Sequence, residues 1–278
     1  MSLQIVAGTP PGGGQDRAAR ALAAAIGAEV VNIAGRGGSD GWDHLAEQAG
    51  RDDIVAVSSP TMLTNTIHRI ADHSSLTPLG RLCSEGLAFA VAAGSDVDTP
   101  AALAGAISGG MTAAVATARG NINHAALLRV SGGRSGPVRD FGSARLAVAD
   151  VVEGNSGVAV VSAASVLPEV EAGTVRVVAV SAHERLPAPL DDTPTWVESG
   201  VDCSLVTWRG VVGPPGMDGR AVREWDERLT AAVASGSWKA ALTAHLWIPD
   251  HHRAADERRM LDDETALLSE LLAGVTGG

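Results

Sequence analysis

The chain has 278 residues, a formal net charge of −11 and a pI near 5.1, which excludes the basic face that duplex nucleic acid needs for counterion release. No apolar run reaches the ~18–20 residues that carry a helix across a bilayer. With 45% hydrophobic and 19% charged residues and a mean hydropathy of +0.13 the bulk of the chain is not disordered, and its length, against ~100–200 residues per domain, predicts two lobes.

In chain order, residues 5–7 form a short apolar strand, Pro10-Pro11-Gly12-Gly13-Gly14 breaks it, and residues 16–26 carry Ala18, Leu22 and Ile26 on one helical face. Residues 29–33 read as the next strand. A glycine loop at 35–41 then precedes a helix holding Trp42, Leu45 and Ala49, and residues 54–57 form a third strand ending at Ser58-Ser59-Pro60-Thr61. Continuous apolar strands alternating with helices imply an α/β fold with a parallel sheet covered on both faces. Residues 87–93 read as a strand leaving the first lobe, and Thr99-Pro100 opens a helix with Thr99 as its N-cap. Strands at 111–117, 158–161 and 174–181, with helices at 122–130, 144–153 and 164–172, predict a second α/β lobe. Residues 206–212 carry the chain back, and helices at 219–235, 237–245 and 254–273 close on the first lobe. This places the first lobe at 1–90 plus 210–278 and the second at 91–209.

Three polar or glycine-rich loops, 9–14, 58–61 and 117–123, each sit where a strand gives way to a helix, the edge at which open α/β sheets bind ligands. The first N–H groups of a helix lack partners and point outward with the positive end of the dipole, so they suit a carboxylate even in an acidic chain. Neither Gly12-Gly13-Gly14 nor Gly35-Arg36-Gly37-Gly38 fits GxxxxGK[ST] or a GxGxxG fingerprint, and no GxSxG elbow occurs. No catalytic residue, cofactor or metal is therefore assigned. Adjacent His251 and His252 cannot share a helix face as i, i+4 metal ligands and read as solvated helix-start residues. His124, beside Asn121 and Asn123, reads as a capping or supporting residue. Trp196, Trp208, Trp225, Trp238 and Trp247 are expected in the core or at a hinge, with Trp208 able to border a cleft. Cys83 and Cys203 lie far apart without metal-type spacing; they read as buried small hydrophobes, with pairing in an oxidising compartment as the alternative. The segment Met1-Ser2-Leu3 runs straight into the first strand with no leader pattern, which leaves two readings: a cytoplasmic protein, or a leader lying outside this sequence.

An ordered series of short motifs narrows these readings. Thr9-Pro10-Pro11-Gly12-Gly13-Gly14-Gln15-Asp16 with Arg20, Asn32-Ile33-Ala34-Gly35-Arg36-Gly37-Gly38, Leu76-Thr77-Pro78-Leu79, Gly120-Asn121 with His124, residues 171–180, Asp192-Thr193-Pro194-Thr195, Trp208-Arg209-Gly210 and Gly213-Pro214-Pro215-Gly216 follow one another along nearly the whole chain. Together they resemble the solute receptors of tripartite tricarboxylate transporters, the Bug-type family of extracytoplasmic binding proteins. The resemblance implies a two-lobed periplasmic-binding-protein fold of the second type, a Venus flytrap with a hinge between the lobes. It also implies no enzymatic activity, a monomer, a leader peptide outside this sequence, a small carboxylate ligand and membrane permease subunits as partners. Carried over residue by residue, the ligand contacts are Thr9, Pro11, Gly12, Gly13 and Gly14, with Ser59 and Thr61, from the first lobe, and Thr117, Gly120 and Asn121 from the second. Two departures bear on the ligand: the family's "YKG" turn stands here as Asp140-Phe141-Gly142, and its "FD" pair as Val161-Ser162. Losing the acid at Ser162 weakens the case for an amino-acid ligand, whose ammonium needs a carboxylate partner, and Asp140 is the candidate replacement. The rival readings are a soluble α/β enzyme acting on a small anionic substrate and a ligand sensor for a signalling partner.

Overall fold

The computed structural model describes residues 2–116 and 121–273, and the chain divides into two compact units, Met1–Ser84 with Trp208–Ser269 and Glu85–Thr207 with Glu270–Gly278.

The first unit opens with β1 (Gln4–Ala7), α1 (Gly14–Ile26), β2 (Glu29–Asn32), a 3-10 turn at Arg36–Gly38, α2 (Ser39–Ala46), β3 (Ile54–Ser58) and α3 (Pro60–Ile67). β1 pairs in parallel with β2 on one side and β3 on the other. Side chains alternate across these strands: Ile5, Ala7, Val55 and Val57 enter one buried cluster, while Val6, Ile54 and Ala56 enter another. The second cluster is closed by Trp42 and Leu45 of α2 and Met62 of α3. The Trp42 indole N–H satisfies itself by donating to Val57 O at 2.9 Å. The strand that follows, β4 (Thr77–Ala92), is 16 residues long and runs on into the second unit.

The second unit holds α4 (Pro100–Ser108), β5 (Ala113–Ala116), α5 (Ile122–Val130), β6 (Val138–Phe141), α6 (Ala144–Val152), β7 (Val158–Ser162), α7 (Leu167–Glu171) and β8 (Val175–Ser181). β5 is parallel to both β6 and β7, whereas β4 runs antiparallel to β7 and β8. Thr99 caps α4, its side chain accepting from the Ala102 N–H. Phe89 and Trp196, both inaccessible to solvent, meet edge-on at 5.0 Å in this unit's core.

The chain returns along β9 (Val206–Gly213), antiparallel to β3 with Ser58 opposite Gly210. It then continues through α8 (Gly219–Ala234), α9 (Gly236–Ala244), β10 (Trp247–Arg253) and α10 (Ala254–Leu272). Leu22 of α1, Trp225 and Leu229 of α8 and Trp238 of α9 cover the first face of the first unit's sheet; the Trp225–Leu229 spacing of four puts both on one helical stripe. β10 corrects the sequence reading: His251 and His252 are strand residues, not the start of a helix. His251 Nδ1 lies 2.8 Å from Arg81 O and His252 Nε2 2.6 Å from Asp250 Oδ1. Trp208 is corrected too, being core and not a border residue: it is 1% exposed and its indole N–H donates to Glu264 Oε1 at 2.7 Å. Arg81 of β4 stacks on the Trp208 ring and meets Glu257 Oε2 at 3.4 Å and Glu264 Oε2 at 3.1 Å. Burial pushes both carboxyls above the usual carboxylate range, against the opposing pull of Arg81. Cys83 and Cys203 are buried thiols that form no disulfide, and burial pushes the Cys203 thiol up. Among the described residues no helix is long and apolar enough to cross a membrane.

Candidate functional site

In the first unit the loop between β1 and α1 is shaped by one buried carboxylate. Asp16, 1% exposed, accepts from the Gly12 N–H at 2.8 Å, from Arg20 Nε at 3.0 Å and, through its other oxygen, from Asn32 Nδ2 at 2.8 Å. Burial raises its pKa, but these hydrogen bonds outweigh burial and hold the carboxyl below its ordinary value. Gly12 has φ +82, a conformation that glycine adopts without strain. Thr9 returns the favour from the loop's other end, its Oγ1 accepting from the Asp16 N–H at 3.1 Å. The result is a helix whose N-cap, Gly13, offers no side chain and whose Gly14 and Gln15 N–H groups have no acceptor within the described residues.

A fixed cation lies beside this helix start. A Cβ on Gly14 would stand 2.5 Å from Arg209 Nη2, so a larger residue there would displace the guanidinium, and the Arg209 side chain on β9 is 8% exposed with Nη1 donating to Trp208 O at 3.2 Å. Helix dipole and guanidinium therefore reinforce one another at Gly14. The β3–α3 loop lies next in the sheet, because β3 pairs with β1. Ser59, 2% exposed, is the N-cap of α3 without a side-chain capping bond, Pro60 has no N–H to give, and Thr61 is half-buried with its N–H lacking an acceptor among the described residues. The two loops are tied together by Gln15, whose Nε2 donates to Ser59 Oγ at 3.4 Å.

The structure thus brings Thr9, Gly12, Gly13, Gly14, Ser59 and Thr61 to one edge of the first unit, with Pro11 exposed on the same loop. In the second unit, Asn121 caps α5: its side-chain oxygen accepts from the Asn123 and His124 N–H groups and its amide nitrogen donates to Ala116 O. Asn121 is 2% exposed and braces the turn with both ends of its amide. Asp140 is exposed on β6 opposite Val115, and half-buried Ser162 ends β7 with its hydroxyl 2.8 Å from Ser165 Oγ. Asp140, Ser162 and Asn121 share the C-terminal edge of parallel strands β5, β6 and β7, where α/β sheets bind ligands. Thr117 and Gly120 lie outside the described residues.

Three residues were not singled out by sequence as ligand-site residues. Gln15 and Arg209 sat inside quoted motifs without a role. Glu85 of β4, fully buried, accepts from the Ala164 N–H at 3.3 Å just past Ser162, placing an acid near the position where the sequence lacks one. The signal available for Arg209 was a lone basic residue in an otherwise apolar strand. Among the described residues no group of three or more His, Cys, Asp or Glu could hold a metal ion.

The model of the tripartite tricarboxylate transporter family receptor matches residues 139–273. No curated protein matches the chain. Among solved structures, a TctC solute-binding protein from Polaromonas is 21% identical with a TM-score of 0.76, 98% of each chain being covered. MatC from Rhodopseudomonas palustris with bound malate is 18% identical with a TM-score of 0.82, again over 98% of each chain. A second R. palustris protein, with adipate, is 20% identical with a TM-score of 0.83, covering 98% of this chain and 96% of its own. In sequence through residues 139–273, and in its two-lobed periplasmic-binding-protein fold along nearly its whole length, the chain resembles the tripartite tricarboxylate transporter family receptors.

Proposed function

We propose that the chain is an extracytoplasmic solute receptor that captures a small carboxylate and delivers it to the membrane permease subunits of a tripartite tricarboxylate-type transporter. The observation that carries this reading is the start of α1, where the Gly14 and Gln15 N–H groups face outward beside the Arg209 guanidinium. Such a group of donors suits a carboxylate oxygen. Ser59 and Thr61 add donors from the neighbouring loop, and Asp140 and Ser162 are the second-unit residues assigned to ligand choice. The family match and the malate and adipate held by similar structures support the same ligand class.

The test is a thermal-shift panel on protein freed of co-purified ligand by unfolding and refolding, with mono-, di- and tricarboxylates, amino acids and nucleotides. A ligand present at about 100 times its Kd adds roughly 2.7 kcal/mol to stability, several degrees in Tm. One carboxylate class should shift the midpoint while nucleotides leave it unchanged. A flat response to every carboxylate would remove the receptor reading.

A further inference from the structure

Gln15 is 3% exposed, and its amide orientation follows from chemistry. The Gly8 N–H can only donate, at 2.9 Å, so the atom it meets is Oε1, and the opposite end of the amide, facing Ser59 Oγ at 3.4 Å, is the NH2 group. That group has no lone pair to offer, so Ser59 Oγ accepts from it. A serine hydroxyl has one proton and two lone pairs. The Ser59 side chain makes no capping bond to α3, and among the described residues Gln15 is the only partner of its hydroxyl. With one lone pair engaged, the proton remains for an external acceptor, beside the Thr61 N–H that also lacks one.

We infer that Gln15 is a positioning residue of this site: by donating to Ser59 it leaves the Ser59 proton unspent, so that at this edge of the first unit the hydroxyl donates to an acceptor such as a carboxylate oxygen. The inference rests on the carboxylate reading of the loops and adds the sense of the Ser59 hydrogen bond. Gln15 need not touch the ligand; it acts through Ser59.

Gln15→Glu keeps the side-chain shape and an oxygen for the Gly8 N–H, but presents Ser59 with an acceptor, so the hydroxyl turns inward. The experiment is a double-mutant cycle by calorimetric titration of malate and adipate into the wild type, Gln15→Glu, Ser59→Ala and the double variant. Each single change should weaken whichever dicarboxylate binds by about 10-fold or more, the scale of a hydrogen bond to a charged group. In the Ser59→Ala background the Gln15 change should cost less than about threefold, a coupling that a merely structural role of Gln15 would not produce. Should Gln15→Glu fail to fold by circular dichroism, Gln15→Met, which removes the donor without giving the Ser59 proton an internal acceptor, is expected to weaken binding by less than Ser59→Ala does, and a loss larger than that of Ser59→Ala would overturn the inference. Equal factors in both backgrounds would overturn the inference while leaving the receptor reading intact. A folded wild type that binds neither these nor any other carboxylate of the panel would end both.

Discussion

Asp16 illustrates how much of the site depends on one side chain. Its two oxygens fasten the Gly12 N–H, Arg20 and Asn32 around the start of α1, and Asn32 also donates to Thr9 O at 2.8 Å. Because its folded pKa is depressed, the stability it contributes is fully present above the unfolded value of about 3.9 and is lost as pH falls through the folded pKa. Asp16→Asn should therefore cost about 1.5–3 kcal/mol at pH 7, the worth of hydrogen bonds to a charged group. The gap between variant and wild type should close as pH drops below about 4; urea unfolding from pH 7 to pH 3 reads both. A gap that does not narrow at all between pH 7 and pH 3 would mean the loss comes from packing and not from charge.

At the scale of elements, α10 is held to the first unit by charge buried among aromatics. Glu257 and Glu264, seven residues apart and so on one helical face, both reach Arg81 of β4, and Glu264 also takes the Trp208 indole of β9. Around this one arginine stand Asp250 and His252 of β10 as well, with Asp250 accepting from Ser84. Carboxyls whose folded pKa is raised favour the folded state fully below their unfolded value of about 4.3, and that contribution is lost as pH rises through the folded pKa. Glu257→Gln, which is neutral at every pH, should narrow the loss of stability that the wild type suffers as pH rises from about 4.3 through the raised folded pKa. Melting curves across that interval measure it, and parallel curves for the two proteins would contradict the assignment.

The same elements show what the sequence reveals and what it withholds. Strands β1, β3, β5 and β7 are legible because each is a short apolar run ending at a glycine or a hydroxyl residue. The first half of β4 and all of β10 are not, since Pro78, Gly80, Arg81 and Glu85 interrupt one and Asp250, His251 and His252 the other. Arg81, Asp250 and His251 belong in strands only because their partners come from more than 160 residues away: Arg81 meets Glu257 and Glu264, Asp250 meets Ser84, and His251 meets Arg81 O. β6 is hidden for a simpler reason: four residues containing Arg139 and Asp140 on an exposed edge carry no apolar pattern. The loops of the first-unit site were legible because glycine and proline mark turns locally. The roles of Gln15 and Arg209 were not, because each is defined by a residue distant in sequence, Ser59 or Gly14.

On the scale of the molecule, the first unit is assembled from two stretches far apart in sequence, Met1–Ser84 and Trp208–Ser269, whereas most of the second is one continuous stretch, Glu85–Thr207. Residues 85–207 expressed alone should keep helical circular dichroism and a cooperative melt, yet bind no carboxylate, since Ser59, Thr61 and the α1 loop are absent. A non-cooperative melt of that fragment would show that the second unit depends on the rest of the chain. The discontinuity also sets an order of events as the polypeptide emerges during synthesis. β3 lacks its antiparallel neighbour until residue 213 has appeared, and Arg209 reaches Gly14 only then. A nascent chain can therefore complete its middle while the free edge of β3 waits for strand β9; the edge proposed to hold the carboxylate is among the last parts of the molecule to be completed.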